Sequence, residues 1–275
     1  MRVNDLIDKY IAYKLLEAPQ LGASLLEKLR TIRQVFGELD AESDGVEIAE
    51  IASQHWEGKA PATRQRILVQ VRAIRNFGYR SALIGRPTPI PLPYVNNTRY
   101  VDISPEQLHM ILEVAKRVYP WAYPSLLLLA HTGARLGEAM RFTYQDIRSD
   151  GKAIVIHKPV GRRTKTIERV VPLTKELRCL FQCGAVPFLY PDGKRIPNHN
   201  EASRVLGKAL KVCCEILGYQ ELRLHDLRHA YAALIASYGG DLADIASALG
   251  HSNLQMTMRY RGLVRNKLES IVEQI

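Results

Sequence analysis

Residues 87–100 read Pro87-Thr88-Pro89-Ile90-Pro91-Leu92-Pro93-Tyr94-Val95-Asn96-Asn97-Thr98-Arg99-Tyr100. Four prolines at alternate positions remove backbone donors and fix φ, so no helix runs through them, and the paired asparagines prolong the interruption. The composition suits an extended linker and predicts a domain boundary: a first domain over 1–93, a linker over 94–100 and a second domain over 101–275. A chain of 275 residues has room for two ordinary domains, each burying its own core.

Upstream of the prolines, apolar residues recur with the helical period. Residues 4–16 carry Leu6, Ile7, Tyr10, Ile11 and Leu15, and residues 24–36 carry Leu25, Leu26, Leu29, Ile32 and Val35. Shorter apolar spacing continues over 46–56. A fourth helix over 62–83 puts Ile67, Val71, Ile74 and Phe77 on one side and leaves Arg64, Arg72 and Arg75 for another. Downstream, Ser104-Pro105-Glu106-Gln107 is an N-cap, a proline at the first helical position and a capping-box glutamine, followed by the stripe Leu108, Ile111, Leu112 and Ala115. Alternation over 153–158 and 167–171 predicts a β-hairpin with a basic tip; 203–217, 226–238, 241–249 and 264–275 read as helices. The fold class is mainly α with a small antiparallel β-sheet.

Lys plus Arg is 38 against 28 for Asp plus Glu, a formal charge of +10 that favours a polyanionic partner. Its distribution is uneven. Residues 1–57 carry six basic and eleven acidic side chains, net −5, whereas Lys59, Arg64, Arg66, Arg72, Arg75, Arg80, Arg86 and Arg99 follow over 58–101 without one acid, +8. A solvated face would intersperse the signs, so this run is expected to face phosphates. The apolar stretch 230–236 is far short of a membrane span and the N-terminus lacks a secretory core, so a cytosolic protein with no membrane partner is expected. Cys179, Cys183, Cys213 and Cys214 are too few for a disulfide framework, and in helical apolar patterns they read as small buried hydrophobes.

Four stretches of the second domain carry chemistry. Thr132-Gly133-Ala134-Arg135-Leu136-Gly137-Glu138 opens a helical pattern with an arginine and a glutamate that, alone, fit a solvated pair. His225-Asp226-Leu227-Arg228-His229 places His225 and Arg228 on one helix face. In Leu249-Gly250-His251-Ser252, Gly250 ends a helix and Ser252 caps the next, leaving His251 in the joint and Tyr260 about two turns on. Gly161-Arg162-Arg163-Thr164-Lys165-Thr166 is the hairpin tip, which alone fits a solvated turn. His225, His229 and His251 also admit a zinc reading, but no carboxylate spacing supports one, and no metal or cofactor is expected.

Together these stretches resemble the tyrosine recombinase, or phage integrase, family of site-specific DNA recombinases. Its arginine in a TGxRxGE-like segment is matched by Arg135, its hairpin lysine before a Val-Pro-Leu by Lys165 and Val171-Pro172-Leu173, its His-x-x-Arg by His225 and Arg228, and its Leu-Gly-His followed by a tyrosine nine residues on by His251 and Tyr260. The resemblance implies a helical core-binding domain followed by a catalytic domain that cuts and rejoins DNA through a covalent 3′-phosphotyrosyl intermediate. It implies Tyr260 as nucleophile, Arg135 and Arg228 as charge donors to the scissile phosphate, Lys165 as general acid, His225 as an aid to proton transfer from the tyrosine, and His251 as a hydrogen-bond partner of the phosphate. Glu138 would orient the first arginine or its helix, and Arg162 and Arg163 would join Arg64, Arg72 and Arg75 in holding DNA. Four protomers acting on two sites, a clamp around the duplex, and accessory directionality factors are further expectations. So is a chain that starts in the core-binding domain, without an arm-site-binding domain. The apolar stripe Val264, Leu268, Ile271, Val272 and Ile275 either covers its own domain or, as the resemblance favours, docks on a neighbouring protomer. A type IB topoisomerase and a non-catalytic DNA-binding regulator are the alternatives.

Overall fold

A computed structural model describes residues 1–18, 20–95, 103–157, 168–251 and 253–264. The chain divides into two compact units, Met1–Arg99 and Tyr100–Ile275.

The first unit is built from α1 (Val3–Glu17), α2 (Ala23–Phe36), α3 (Gly45–His55) and α4 (Pro61–Arg80) around one core that includes Leu6, Ile32, Phe36, Ile48, Leu68 and Ile74. Local chemistry sets the ends. The Asp44 side chain accepts from Val46 N at the start of α3, and Pro61 opens α4. The periodicity predicts α4 to residue 83, but it stops at Arg80: Ala82 takes φ 53° and Leu83 N donates back to Gly78 O. Residues 87–93 are extended, as their prolines dictate, yet they are docked rather than loose. Ile90 is buried in the first core, Gly45 N donates to Thr88 Oγ1, and Gln65 Nε2 donates to Pro93 O. Only a glycine allows this approach at position 45, because a Cβ there would lie 2.1 Å from Pro89 O.

The second unit begins with α5 (Pro105–Val118), whose Ser104 and Gln107 form the expected reciprocal cap. Next comes α6 (Tyr123–Thr132), whose Leu126 to Ala130 segment is buried on every side and forms the centre of the core. α7 (Leu136–Ala139) is a single turn. Strands β1 (Ala153–Ile156) and β2 (Arg169–Pro172) pair antiparallel, Ala153 opposite Pro172 and Ile156 opposite Arg169. Then follow α8 (Lys175–Gln182), α9 (His199–Ile216), α10 (Leu224–Ser237) and α11 (Leu242–Leu249), with α10 packed on α6. The hairpin tip, including Arg162, Arg163 and Lys165, lies outside the described residues, as does Ser252.

Two expectations are corrected here. Cys213 and Cys214 are buried as read, but Cys179 and Cys183 are exposed, because α8 turns only Leu177 and Phe181 inward. The helix expected before Tyr260 is instead two 3-10 turns, Leu254–Met256 and Met258–Tyr260, leading into α12 (Arg261–Val264). Val264 packs on the core of its own unit; residues 265–275 lie outside the described residues. No helix among the described residues is long and apolar enough to cross a membrane.

Candidate active site

Gly133 ends α6 in the left-handed conformation, φ 58°, and a Cβ on it would meet the Tyr231 ring at 2.5 Å and Leu249 at 2.7 Å. That tight turn sets Arg135 at the start of α7, where the Glu138 carboxylate caps the helix by accepting from Arg135 N at 3.1 Å and binds Arg135 Nη1 at 2.9 Å. Glu138 is buried and also accepts from Arg169 Nη2 at 3.0 Å. Burial alone would raise this carboxyl; Arg169 and the bonds from Arg135 outweigh it and hold Glu138 below its ordinary value. Arg169 is itself buried, and its Nε donates to Ala248 O at the end of α11.

Arg228 on α10 is 3% exposed and donates from Nη1 to Gly133 O at 2.5 Å and from Nη2 to Leu249 O at 2.6 Å. One guanidinium therefore joins the turn before Arg135 to the turn before His251. Burial, then Arg135 and Arg169, lower its pKa to about 10. Gly250 closes α11 with φ 64°, and the His251 that follows points Nδ1 at Thr257 Oγ1, 2.8 Å away. Burial and the cations Arg228, Arg135 and Arg259 push His251 down to about 4. Tyr260 is 5% exposed, and its Oη lies 2.6 Å from His229 Nδ1. Burial raises the phenol, and Arg259 and Arg228 pull it part of the way back. His225, exposed, opens with Arg135, Arg141, His199 and Ser203 onto a cavity of about 490 Å³. Among the described residues no group of three or more His, Cys, Asp or Glu is placed to hold a metal ion.

The structure thus gathers Arg135, Glu138, Arg228 and His251, with Tyr260 one hydrogen bond from the helix that carries His225 and Arg228. Three further residues have a part that the sequence reading does not give them, His229 being weighed there only as a zinc ligand. His229 had a usable signal, since i+4 from His225 shares its face. Arg169 and Thr257 had none, their partners being distant in sequence or reached only through a turn.

In the first unit the basic residues separate. Arg72, Asn76, Tyr79, Arg80 and Arg86 are exposed around a cavity of about 630 Å³. Arg75, expected to hold DNA, lines the same cavity but is withdrawn from solvent. It is 1% exposed, with Nε donating to Ala41 O at 2.9 Å and Nη2 to Ser43 O at 2.6 Å, both in the loop before α3, and Nη1 to Thr88 O at 3.4 Å in the proline segment. Arg64 is half-buried, with its Nε turned inward.

The description Phage integrase family matches residues 102–266, more than half of the chain and all of the cluster just described. The chain belongs to that family. Among curated members, the integrase of Mycobacterium phage L5 is 25% identical over 79% of this chain and 64% of its own, so this chain spans less than two thirds of that relative's length. The tyrosine recombinase XerD of Brucella suis biovar 1 is 24% identical over 100% of this chain and 97% of its own. The likeness in fold is wider: the Tn1549 transposon integrase, solved in complex with a circular intermediate DNA, superposes with a TM-score of 0.77 at 19% identity, over 98% of this chain and 99% of that one.

Proposed function

We propose that this chain is a site-specific DNA recombinase acting through a covalent 3′-phosphotyrosyl intermediate, without metal or ATP. The observation that carries the reading is Arg228, whose two carbonyl bonds reach residues 95 and 21 positions away and so unite the Arg135 and His251 turns around one buried cation. Breaking a phosphodiester builds negative charge on the non-bridging oxygens, and two fixed, permanently charged forks stabilise it as a metal ion would. Tyr260 attacks the phosphorus, and the phosphotyrosyl bond keeps the energy of the broken linkage, so rejoining needs no nucleotide. His251 steadies the phosphate and Lys165, by family resemblance, protonates the departing 5′ oxygen. The exposed arginines of α4 hold the duplex backbone. Four protomers on two sites, with the tail beyond Val264 linking them and accessory factors setting direction, complete the proposal; the cytosol is its compartment.

Covalent trapping in cells, followed by sequencing of the attached DNA, identifies the site. A nicked suicide duplex of that sequence should then accumulate a protein adduct with the wild type, in excess EDTA as well as without it, and none with Tyr260→Phe, which should still bind. An adduct in the variant overturns the nucleophile, and loss of cleavage in EDTA restored by magnesium overturns the metal-free chemistry. Relaxation of a plasmid lacking the site would assign the chain to the topoisomerase reading instead.

A further inference from the structure

Helix α10 presents three side chains able to bind or move a proton or an anion on one face, His225, Arg228 and His229, at i, i+3 and i+4. The recombinase reading uses the first two. The third touches the reacting atom, for among the described residues it is His229 and not His225 that the Tyr260 hydroxyl bonds, Oη to Nδ1, 2.6 Å. The His229 and Tyr260 ring centroids lie 5.7 Å apart at 52°, so the rings meet neither as a parallel stack nor at right angles. The His225 ring also meets that of His229, centroids 5.1 Å apart and nearly perpendicular, and lines the cavity beside Arg135.

The groups around His229 decide its protonation state. Burial, then His225, Arg259 and Arg228, disfavour the imidazolium, with Asp226 opposing them, and its pKa falls to about 4. At neutral pH the ring is therefore uncharged and has one nitrogen free to accept. With its proton on Nε2, Nδ1 receives the hydrogen bond of the phenol.

Resting on the recombinase reading, we propose that His229 is the proton acceptor for Tyr260. As the phenolic oxygen bonds to the scissile phosphorus and the bond from phosphorus to the 5′ oxygen breaks, the phenol proton passes to His229 Nδ1 and the departing oxygen takes its proton from the general acid. In rejoining, the 5′ hydroxyl loses that proton as it attacks, the phosphotyrosyl bond breaks, and His229 returns its proton to the phenolate.

The test uses the full chain and the nicked suicide duplex built from the DNA that the wild type traps. In His229→Asn the amide reaches the place of Nδ1 and keeps the hydrogen bond to the phenol, but it cannot take the proton. Single-turnover cleavage should fall roughly a hundredfold or more, and it should climb about tenfold per pH unit as hydroxide replaces the missing base. Binding of the duplex should not change. Fluorinated tyrosine at position 260, whose phenol is more acidic, should restore much of the lost rate in His229→Asn and change the wild type little. Cleavage by His229→Asn at the wild-type rate and pH profile, or a loss equal at every pH that fluorination does not rescue, overturns the proposal and leaves a merely positional contact. If His229→Asn unfolds, the fluorotyrosine series in the wild type decides: a steep rise in rate with phenol acidity means that no base assists and overturns the proposal, a shallow one supports it. Should the wild type trap no DNA at all, the recombinase reading fails, an outcome distinct from all of these.

Discussion

Arg75 in the first unit and Arg228 in the second are withdrawn from solvent to the same degree, 1% and 3% exposed, and both spend their guanidinium on backbone carbonyls. Their surroundings differ in sign. Burial lowers the pKa of Arg75, but its charged neighbours Asp44 and Glu42 oppose the shift. Around Arg228 the cations Arg135 and Arg169 add to burial, and the opposing Glu138 and Tyr260 do not cancel them, so the pKa falls to about 10. The first cluster sets carboxylates beside its buried cation and serves the fold. The second holds positive charge in excess of what folding needs, which is the condition for binding an anion and for stabilising charge that appears during a reaction. Two arginines alike in exposure and in the carbonyls they bind thus do different work, and the sign of the nearest charges tells them apart.

The widest separation should appear in paired substitutions. Arg228→Ala is expected to slow single-turnover cleavage roughly a hundredfold or more, the scale for losing a preorganised charge donor. Arg75→Met should leave cleavage per folded molecule unchanged and instead cost the first unit about 3 kcal/mol, because three carbonyl partners lose their donor in a buried setting. Chemical denaturation beside the suicide-duplex assay reads both. Equal catalytic losses in the two variants at matched stability would break the comparison.

A smaller effect sharpens it through pH. His229 and His251 are depressed to about 4 in the fold. Between that value and the ordinary histidine range near ~6.5 the unfolded chain binds more protons than the folded one. Their neutral forms therefore support the second unit fully above this window, and stability drains away as pH falls through it, by on the order of 1 kcal/mol per pH unit for each ring. Thermal unfolding of the second unit from pH 7 to pH 4 checks this, and a flat midpoint would show that the excess charge is relieved some other way.

The smallest expected change separates neighbours on α4. Arg72→Gln should reduce the slope of log affinity against log salt by about one unit, one phosphate contact, and Arg75→Met should leave the slope alone. A slope that moves with Arg75 and not with Arg72 would return the buried residue to the interface.

Much of the fold was legible because its causes are local. A helix declares itself by a 3.6-residue period and by caps that act within one turn, which is why Ser104 and Gln107 announce α5, and Gly250 the end of α11, in the sequence. The order Arg135, His225, Arg228, His251 and Tyr260 was legible too, since spacing along the chain is itself the pattern. Where a side chain points, and what stands next to it, was not. Arg72 and Arg75 lie three apart on one acid-free helix and look equivalent in sequence, yet only Arg75 is covered, by carbonyls from the loop before α3 and from the segment after α4. Tyr260 meets His229 across 31 positions, and Arg169 meets Glu138 across 31 and Ala248 across 79. The sequence by itself determined most of the helices and several of their caps, the proline interruption and the chemical inventory of the site, all of which depend on neighbours a few residues away, though not the end of α4 or the 3-10 turns before Tyr260. Burial, charge balance and the partner of the phenol were decided only in the tertiary structure, because each is a sum over atoms that folding brings together from distant parts of the chain.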